Sequence, residues 1–120
     1  MIGWGFLGAG SIARSSLAPA VHRTAGAALH AVASRDPARA AVLGPAIAYG
    51  DYDELLQDPR VQIVYIALHN SAHEAWTLRA LAAGKHVLCE KPLGLDAAQV
   101  ERMARAADAA GLIQIGRAHV

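Results

Sequence analysis

The chain has 120 residues, 54% of them apolar, and a formal net charge of +1, a length that suits one compact domain with a real core but not a cofactor domain plus a separate substrate domain. Only two lysines occur, Lys85 and Lys91, and there is no basic stripe, which gives nucleic-acid binding no support. No apolar run approaches the roughly 20 residues of a membrane span, no secretory leader pattern opens the chain, and the single cysteine, Cys89, excludes an internal disulfide and is compatible with a reducing cytoplasm.

Residues 2–7 (IGWGFL) read as a short buried strand, followed by a glycine turn and a helix over 11–23. Residues 28–34 (ALHAVAS) read as the second strand. Asp36 then caps a helix with Pro37 at its first position, ending near Gly44. A third short strand falls at 46–49 and a helical turn or two at 51–56. Residues 61–68 (VQIVYIAL) are rich in β-branched residues and apolar on both faces, as a central parallel strand demands. A helix over 71–83 closes at Gly84, and a fifth strand occupies 86–89 (HVLC). A helix over 96–110, capped by Asp96, closes at Gly111, and 112–116 (LIQIG) supplies a sixth strand. Strand–helix alternation at this spacing, with right-handed crossovers, predicts an α/β fold: a doubly wound parallel sheet of the Rossmann type, about six strands with helices on both faces.

Gly8-Ala9-Gly10-Ser11-Ile12-Ala13 matches the GxGxxG/A pattern. Gly8 permits the tight turn out of the strand. Gly10 leaves the backbone open to a pyrophosphate, and Ala13 lets the helix pack closely on the sheet. The amides at the start of that helix, around Ser11 and Ile12, and its partial positive charge suit phosphate oxygens. Such a turn is common without a ligand; here a strand precedes it and a helix follows, which is the context dinucleotide binding needs.

The second strand runs out into Ser34-Arg35-Asp36. An NAD site usually places a carboxylate there for the ribose 2′-hydroxyl. A hydroxyl and a guanidinium suit a 2′-phosphate instead, and Arg39, one helical turn on, reaches toward the same place. NADP(H) is therefore the preferred cofactor, with NAD(H) left open. The alternatives are that Arg35 and Arg39 are solvated surface residues, and that Asp36 is the ribose ligand rather than a cap; its place before Pro37 favours the cap. After the fourth strand, Ala67, Leu68, His69 and Asn70 lie where a doubly wound sheet binds its ligand, with His73 in the first turn of the next helix. Asn70 and Ser71 suit helix caps equally well, and either histidine suits packing equally well.

The stretch AGKHVLCEKPL, together with WGFLGAGSIAR, ASRD and HEAWTLRALAAGKHV, resembles the Gfo/Idh/MocA family (glucose–fructose oxidoreductase, inositol dehydrogenase and rhizopine catabolism proteins), in order and at family-like spacing as far as Gly111. The resemblance implies that residues 1–120 are an N-terminal NAD(P)-binding Rossmann domain. It implies hydride transfer between a nicotinamide cofactor and a sugar, polyol or related carbonyl or alcohol. It assigns Lys91 as the catalytic lysine that contacts substrate and nicotinamide, Glu90 to the nicotinamide's neighbourhood, and Pro92 to the turn. An ammonium at Lys91 makes chemical sense, because the reacting oxygen gains negative charge in reduction and loses a proton in oxidation. Without the resemblance, Lys91 reads as a surface lysine paired with Glu90.

The family's C-terminal substrate domain, and the further catalytic groups it carries, have no counterpart in these residues. The chain reads either as part of a longer enzyme or as a stand-alone dinucleotide-binding module or partner subunit without turnover. In both cases it is expected to bind a dinucleotide better than it catalyses, to be cytoplasmic, and to form homo-oligomers, if any, through the missing domain. Cys89 reads as a small buried strand residue, and the six histidines show no metal-binding spacing.

Overall fold

A computed structural model describes residues 1–89 and 97–116. Among the described residues there are six strands: β1 (Ile2–Leu7), β2 (Ala27–Ala33), β3 (Ile47–Tyr49), β4 (Ile63–Ile66), β5 (His86–Cys89) and β6 (Gln114–Gly116). They form one sheet in the order β3-β2-β1-β4-β5-β6, and every neighbouring pair is parallel. The helices between them are α1 (Ala18–Arg23), α2 (Pro37–Val42), α3 (Tyr52–Leu56), α4 (Asn70–Ala82) and α5 (Ala97–Ala110). A π-helical turn, Ala13–Leu17, leads into α1. The order reverses between β1 and β4, and the crevice at that switch point is where doubly wound sheets bind ligands.

Alternate residues along the central strands feed two separate cores. Leu7, Val64, Ile66, Val87 and Cys89 meet Leu55 and Leu56 of α3, Ala80 and Leu81 of α4, and Met103 and Ala107 of α5. Phe6, Leu29, Val32 and Tyr65 meet Ala13, Ala18 and Val21 on the first helix and Ala40 and Leu43 around α2. Phe6 and Tyr65 touch edge to face, with ring centroids 5.0 Å apart. Each such large side chain, fully withdrawn from water, contributes about 1.5–3 kcal/mol. Leu29 and Val32 share a face despite being three apart because the β1–β2 register slips between Trp4/Leu29 and Gly5/Ala31, leaving His30 as the extra residue of a bulge. The bulge turns the His30 ring to Asp58, where Nε2–H donates to Oδ2 at 2.8 Å.

The predicted elements are all present; β1 and β5 keep their predicted bounds, and the ends of others shift. β4 is shorter than the predicted 61–68. Val61 donates its N–H to the Asp58 carbonyl in a turn, so the ladder starts later, and the chain leaves the sheet after Ile66, although the Ala67 amide still reaches the Leu7 carbonyl at 3.0 Å. β2 stops one residue before Ser34. The helix predicted over 11–23 is widened in its middle, with the Ala18 amide bonding back to the Ala13 carbonyl. Pro19, which has no N–H and crowds the carbonyl four residues before it, sits at that seam. α4 begins at Asn70, so its cap position falls on His69, whose side chain makes no capping bond; Ser71 lies inside the helix. Asp36 caps α2 as predicted, its Oδ1 accepting from the Ala38 amide at 3.0 Å with Pro37 at the first position. The cap expected at Asp96 lies outside the described residues. No helix among the described residues is long and apolar enough to cross a membrane.

Candidate functional site

The carboxyl ends of β1, β2, β3 and β4 are drawn together by backbone bonds that run past the ladder. The Gly8 amide donates to the Ala33 carbonyl at 2.9 Å, the Ala67 amide to Leu7, and the Ser34 amide to Tyr49 at 3.1 Å. Above them lies a cavity of about 500 Å³ whose lining includes Gly8, Gly10, Ser34, Arg35, Arg39 and the loop Ala67, Leu68 and His69. A smaller cavity of about 140 Å³ continues it past Ala9, Gly10, Ser11, Arg14, Arg39 and Val42. Ala9, Gly10 and Arg39 belong to both.

Gly8 holds φ +98, and a β-carbon there would sit 2.6 Å from the Ala67 carbonyl oxygen; only glycine lets β1 turn so closely under β4. Gly10 is different. A β-carbon there would meet no heavy atom within 4 Å, so it would project into the open cavity. Beyond it the Arg14 amide donates to the Gly10 carbonyl at 3.0 Å, which closes the first turn. The amides ahead of that turn have no partner within the helix and lie at its positive end. Ser11 is exposed and lines the smaller cavity, whereas Ile12, 48% exposed, belongs to neither lining. Ala13 is fully buried against the sheet.

Ser34 is nearly buried, and its Oγ accepts from the Asp36 amide at 3.2 Å, which shapes the bend that carries Arg35 to the surface. Arg35 and Arg39 are exposed and line the cavity from β2's end and from α2. The Asp36 carboxylate is engaged by its own helix at Ala38, and no carboxylate lines the larger cavity among the described residues. The rim is thus cationic, and the geometry suits a diphosphate at the glycine turn with a further phosphate near the two guanidiniums.

His69 lines the cavity, whereas His73 is fully buried and stands apart from the lining. Its Nε2–H donates to the Leu68 carbonyl at 2.7 Å, so it holds the loop from beneath. Asn70 opens α4 at this rim. Glu90, Lys91 and Pro92, expected at the end of β5, lie outside the described residues. Further lining residues lie outside the sequence expectations: Arg14 and Val42 line the smaller cavity, and Tyr52, Ala72 and Trp76 line the larger. Positions 69, 72 and 76 repeat at helical spacing on one face, a signal readable in the sequence once the helix start is placed. Tyr52 follows from its place just after Asp51, the residue that caps α3 by accepting from the Asp53 amide.

Comparison with known proteins identifies the family. An uncharacterized oxidoreductase of Rhizobium meliloti is 43% identical over 115 residues, covering 92% of this chain and 34% of that protein. The trans-1,2-dihydrobenzene-1,2-diol dehydrogenase of Mus musculus is 41% identical over 119 residues, covering 91% of this chain and 34% of that protein. Among solved structures, a 3-ketoreductase from Actinomadura kijaniata in complex with NADP and TDP-benzene matches with a TM-score of 0.91 at 36% identity, over 97% of this chain and 37% of that one. The chain spans about a third of the length of the curated relatives it matches. Residues 2–117 match GFO_IDH_MocA, described as an oxidoreductase family with an NAD-binding Rossmann fold. With its six parallel strands, its glycine turn and its strand-end cavity, the chain belongs to the Gfo/Idh/MocA oxidoreductase family, as that family's NAD-binding Rossmann domain.

Proposed function

We propose that this chain is the cofactor-binding half of an NADP(H)-dependent oxidoreductase acting on a sugar, polyol or related carbonyl or alcohol. The observation that carries the reading is the composition of one cavity: the Gly8–Gly10 turn and two exposed arginines line it, and no carboxylate does among the described residues. The open space at Gly10 is a cradle that a side chain would fill, and it accepts a diphosphate against the first helical amides. Arg35 and Arg39 supply charge-assisted hydrogen bonds to a 2′-phosphate, which a carboxylate would repel. The 3-ketoreductase relative was solved with NADP, which agrees with this preference.

When bound, the nicotinamide supplies or accepts the hydride. The chain's own residues bind and orient it: the loop from Ala67 to His69 flanks the cavity, and buried His73 fixes the Leu68 carbonyl. Lys91 is assigned the catalytic role by family resemblance. Its ammonium stabilises charge on the reacting oxygen and relays that oxygen's proton. Residues 1–120 are then the NAD(P)-binding domain, and the substrate-binding domain of the family is a separate unit. A cytoplasmic setting is part of the proposal, in keeping with a single, buried cysteine that forms no internal disulfide.

Calorimetric titration of the protein with NADPH and NADH tests the assignment. NADPH is expected to bind at least about tenfold more tightly, the effect of one good charge-assisted contact. Tighter binding of NADH would overturn the arginine argument, and no binding of either at millimolar concentration would overturn the cofactor site itself.

A further inference from the structure

One wall of the larger cavity is not accounted for by phosphate binding. Tyr52, at the start of α3, and Trp76, in α4, meet edge to face with ring centroids 5.1 Å apart and planes at 89°. Both are only half-buried, and both line the cavity that Arg35 and Arg39 line. The indole is braced further. The Arg79 guanidinium lies 4.6 Å from its ring centroid, and Arg79 Nη1 also donates to Asp53 Oδ2 at 3.4 Å, so α3 and α4 hold the pair between them. Both rings also pack against the core, yet each keeps part of its surface exposed in the cavity, so an aromatic wall stands beside a cationic one.

A ligand that satisfies both surfaces within one nucleotide carries a flat, neutral base and a phosphate on its own ribose. Adenosine with a 2′-phosphate has this form. The nicotinamide end does not, because its oxidised ring is cationic and Arg35, Arg39 and Arg79 all stand around this region. We infer that Trp76, braced by Tyr52, is the stacking wall for the adenine base and so sets which end of the dinucleotide enters this part of the cavity. This rests on the cofactor-site reading above and adds to it the identity of the base-contacting residue.

The test uses the protein carrying Trp4→Phe, which leaves Trp76 as the sole indole while keeping a ring in the half-buried position of Trp4. It is titrated with adenosine 2′,5′-bisphosphate and with nicotinamide mononucleotide, following tryptophan emission and heat in parallel. Adenosine bisphosphate is expected to change the emission with the same midpoint that calorimetry gives, and the mononucleotide to leave it unchanged. Trp76→Ala should weaken the bisphosphate at least about fivefold, the lower end of what base–aromatic stacking contributes, and Trp76→Phe should retain most of the affinity. Calorimetric binding with no emission change, and with Trp76→Ala binding as tightly as the parent, would overturn the stacking role and leave the cofactor site intact. An emission change with the mononucleotide alone would overturn the orientation. Absence of calorimetric binding for both the bisphosphate and NADPH would overturn the cofactor site, and this inference with it.

Discussion

A β-carbon on Gly8 would lie 2.6 Å from the carbonyl oxygen of Ala67, whereas one on Gly10, two residues on, would touch nothing within 4 Å. The two glycines of the turn therefore have separable duties: Gly8 lets two strands approach, and Gly10 leaves the cavity open at the turn. Gly8→Ala must adopt a left-handed backbone and displace a neighbouring carbonyl, so it is expected to cost at least about 2 kcal/mol of stability. Gly10→Ala should leave the unfolding midpoint within about 0.5 kcal/mol of the parent and weaken NADPH at least about tenfold. Denaturant melts and calorimetry on the two variants check this. Equal effects of both substitutions on stability would contradict the division.

Arg35 and Arg39 reach the cavity from different elements, the bend after β2 and the body of α2. Removing either should reduce affinity for NADPH by about ten- to a hundredfold, as loss of a charge-assisted hydrogen bond does, and leave NADH almost unchanged. Arg35→Asp should go further and favour NADH, because a carboxylate there repels a 2′-phosphate and accepts from a ribose hydroxyl. Parallel losses for both cofactors would show that the arginines serve the diphosphate, and no loss for either would show that they serve neither.

The strands and helices were legible because each carries its own periodicity and punctuation. β5 came out residue for residue, bounded by Gly84 with φ +82 and by the chemistry of its four apolar-to-half-buried positions. The ends of β4 were not legible. Val61 is as apolar as its neighbours, and it leaves the ladder because its amide bonds the Asp58 carbonyl three residues back, in a turn that the Asp58 side chain anchors to His30 and Tyr49. The Asp58-Pro59 turn signal is local, but the run of apolar residues after it masks where the strand begins. The site divides the same way. Gly8, Gly10, Ser34 and the arginines follow from a motif and from charge. Trp76 and Tyr52 come together only once α3 and α4 pack. His73 looked like a ligand candidate from its place after a strand; burial turned it inward to Leu68 instead.

That inward turn makes a distinct prediction for His73. Its ring fills a fully buried position and satisfies the Leu68 carbonyl at 2.7 Å. His73→Leu keeps volume and removes the donor, so it should destabilise the fold by roughly 1–3 kcal/mol, the cost of a buried acceptor left unpaired. Cofactor affinity should fall only modestly, through loosening of residues 67–69. A variant of unchanged melting temperature that has lost NADPH binding would instead place the imidazole against the ligand.

The opposite edge of the sheet depends on Asp58. Its Oδ2 accepts from His30 Nε2–H at 2.8 Å and from the Tyr49 hydroxyl at 2.9 Å, its Oδ1 accepts from the Arg60 amide at 2.9 Å, and its carbonyl accepts from buried Lys85 Nζ at 2.8 Å. One residue thus ties β2, β3, the turn before β4 and the turn before β5. Burial pushes the Asp58 carboxyl up, but the Arg60 amide, the Tyr49 hydroxyl and the His30 ring together outweigh burial and hold it below its ordinary value of 3.8. A carboxyl whose folded value is depressed leaves the unfolded chain binding more protons, so stability is fully present above the ordinary value and is lost as pH falls through the folded one. Thermal melts should therefore show a decline that begins near the ordinary value and steepens below it. Asp58→Asn should lower stability at neutral pH by about 1–3 kcal/mol, because its amide cannot accept from all three donors. The same variant should flatten the acid decline. If the Asn variant and the parent lose stability in parallel as the solution is acidified, some other carboxylate governs the acid limb, and the ties among the four segments do not depend on the charge of Asp58.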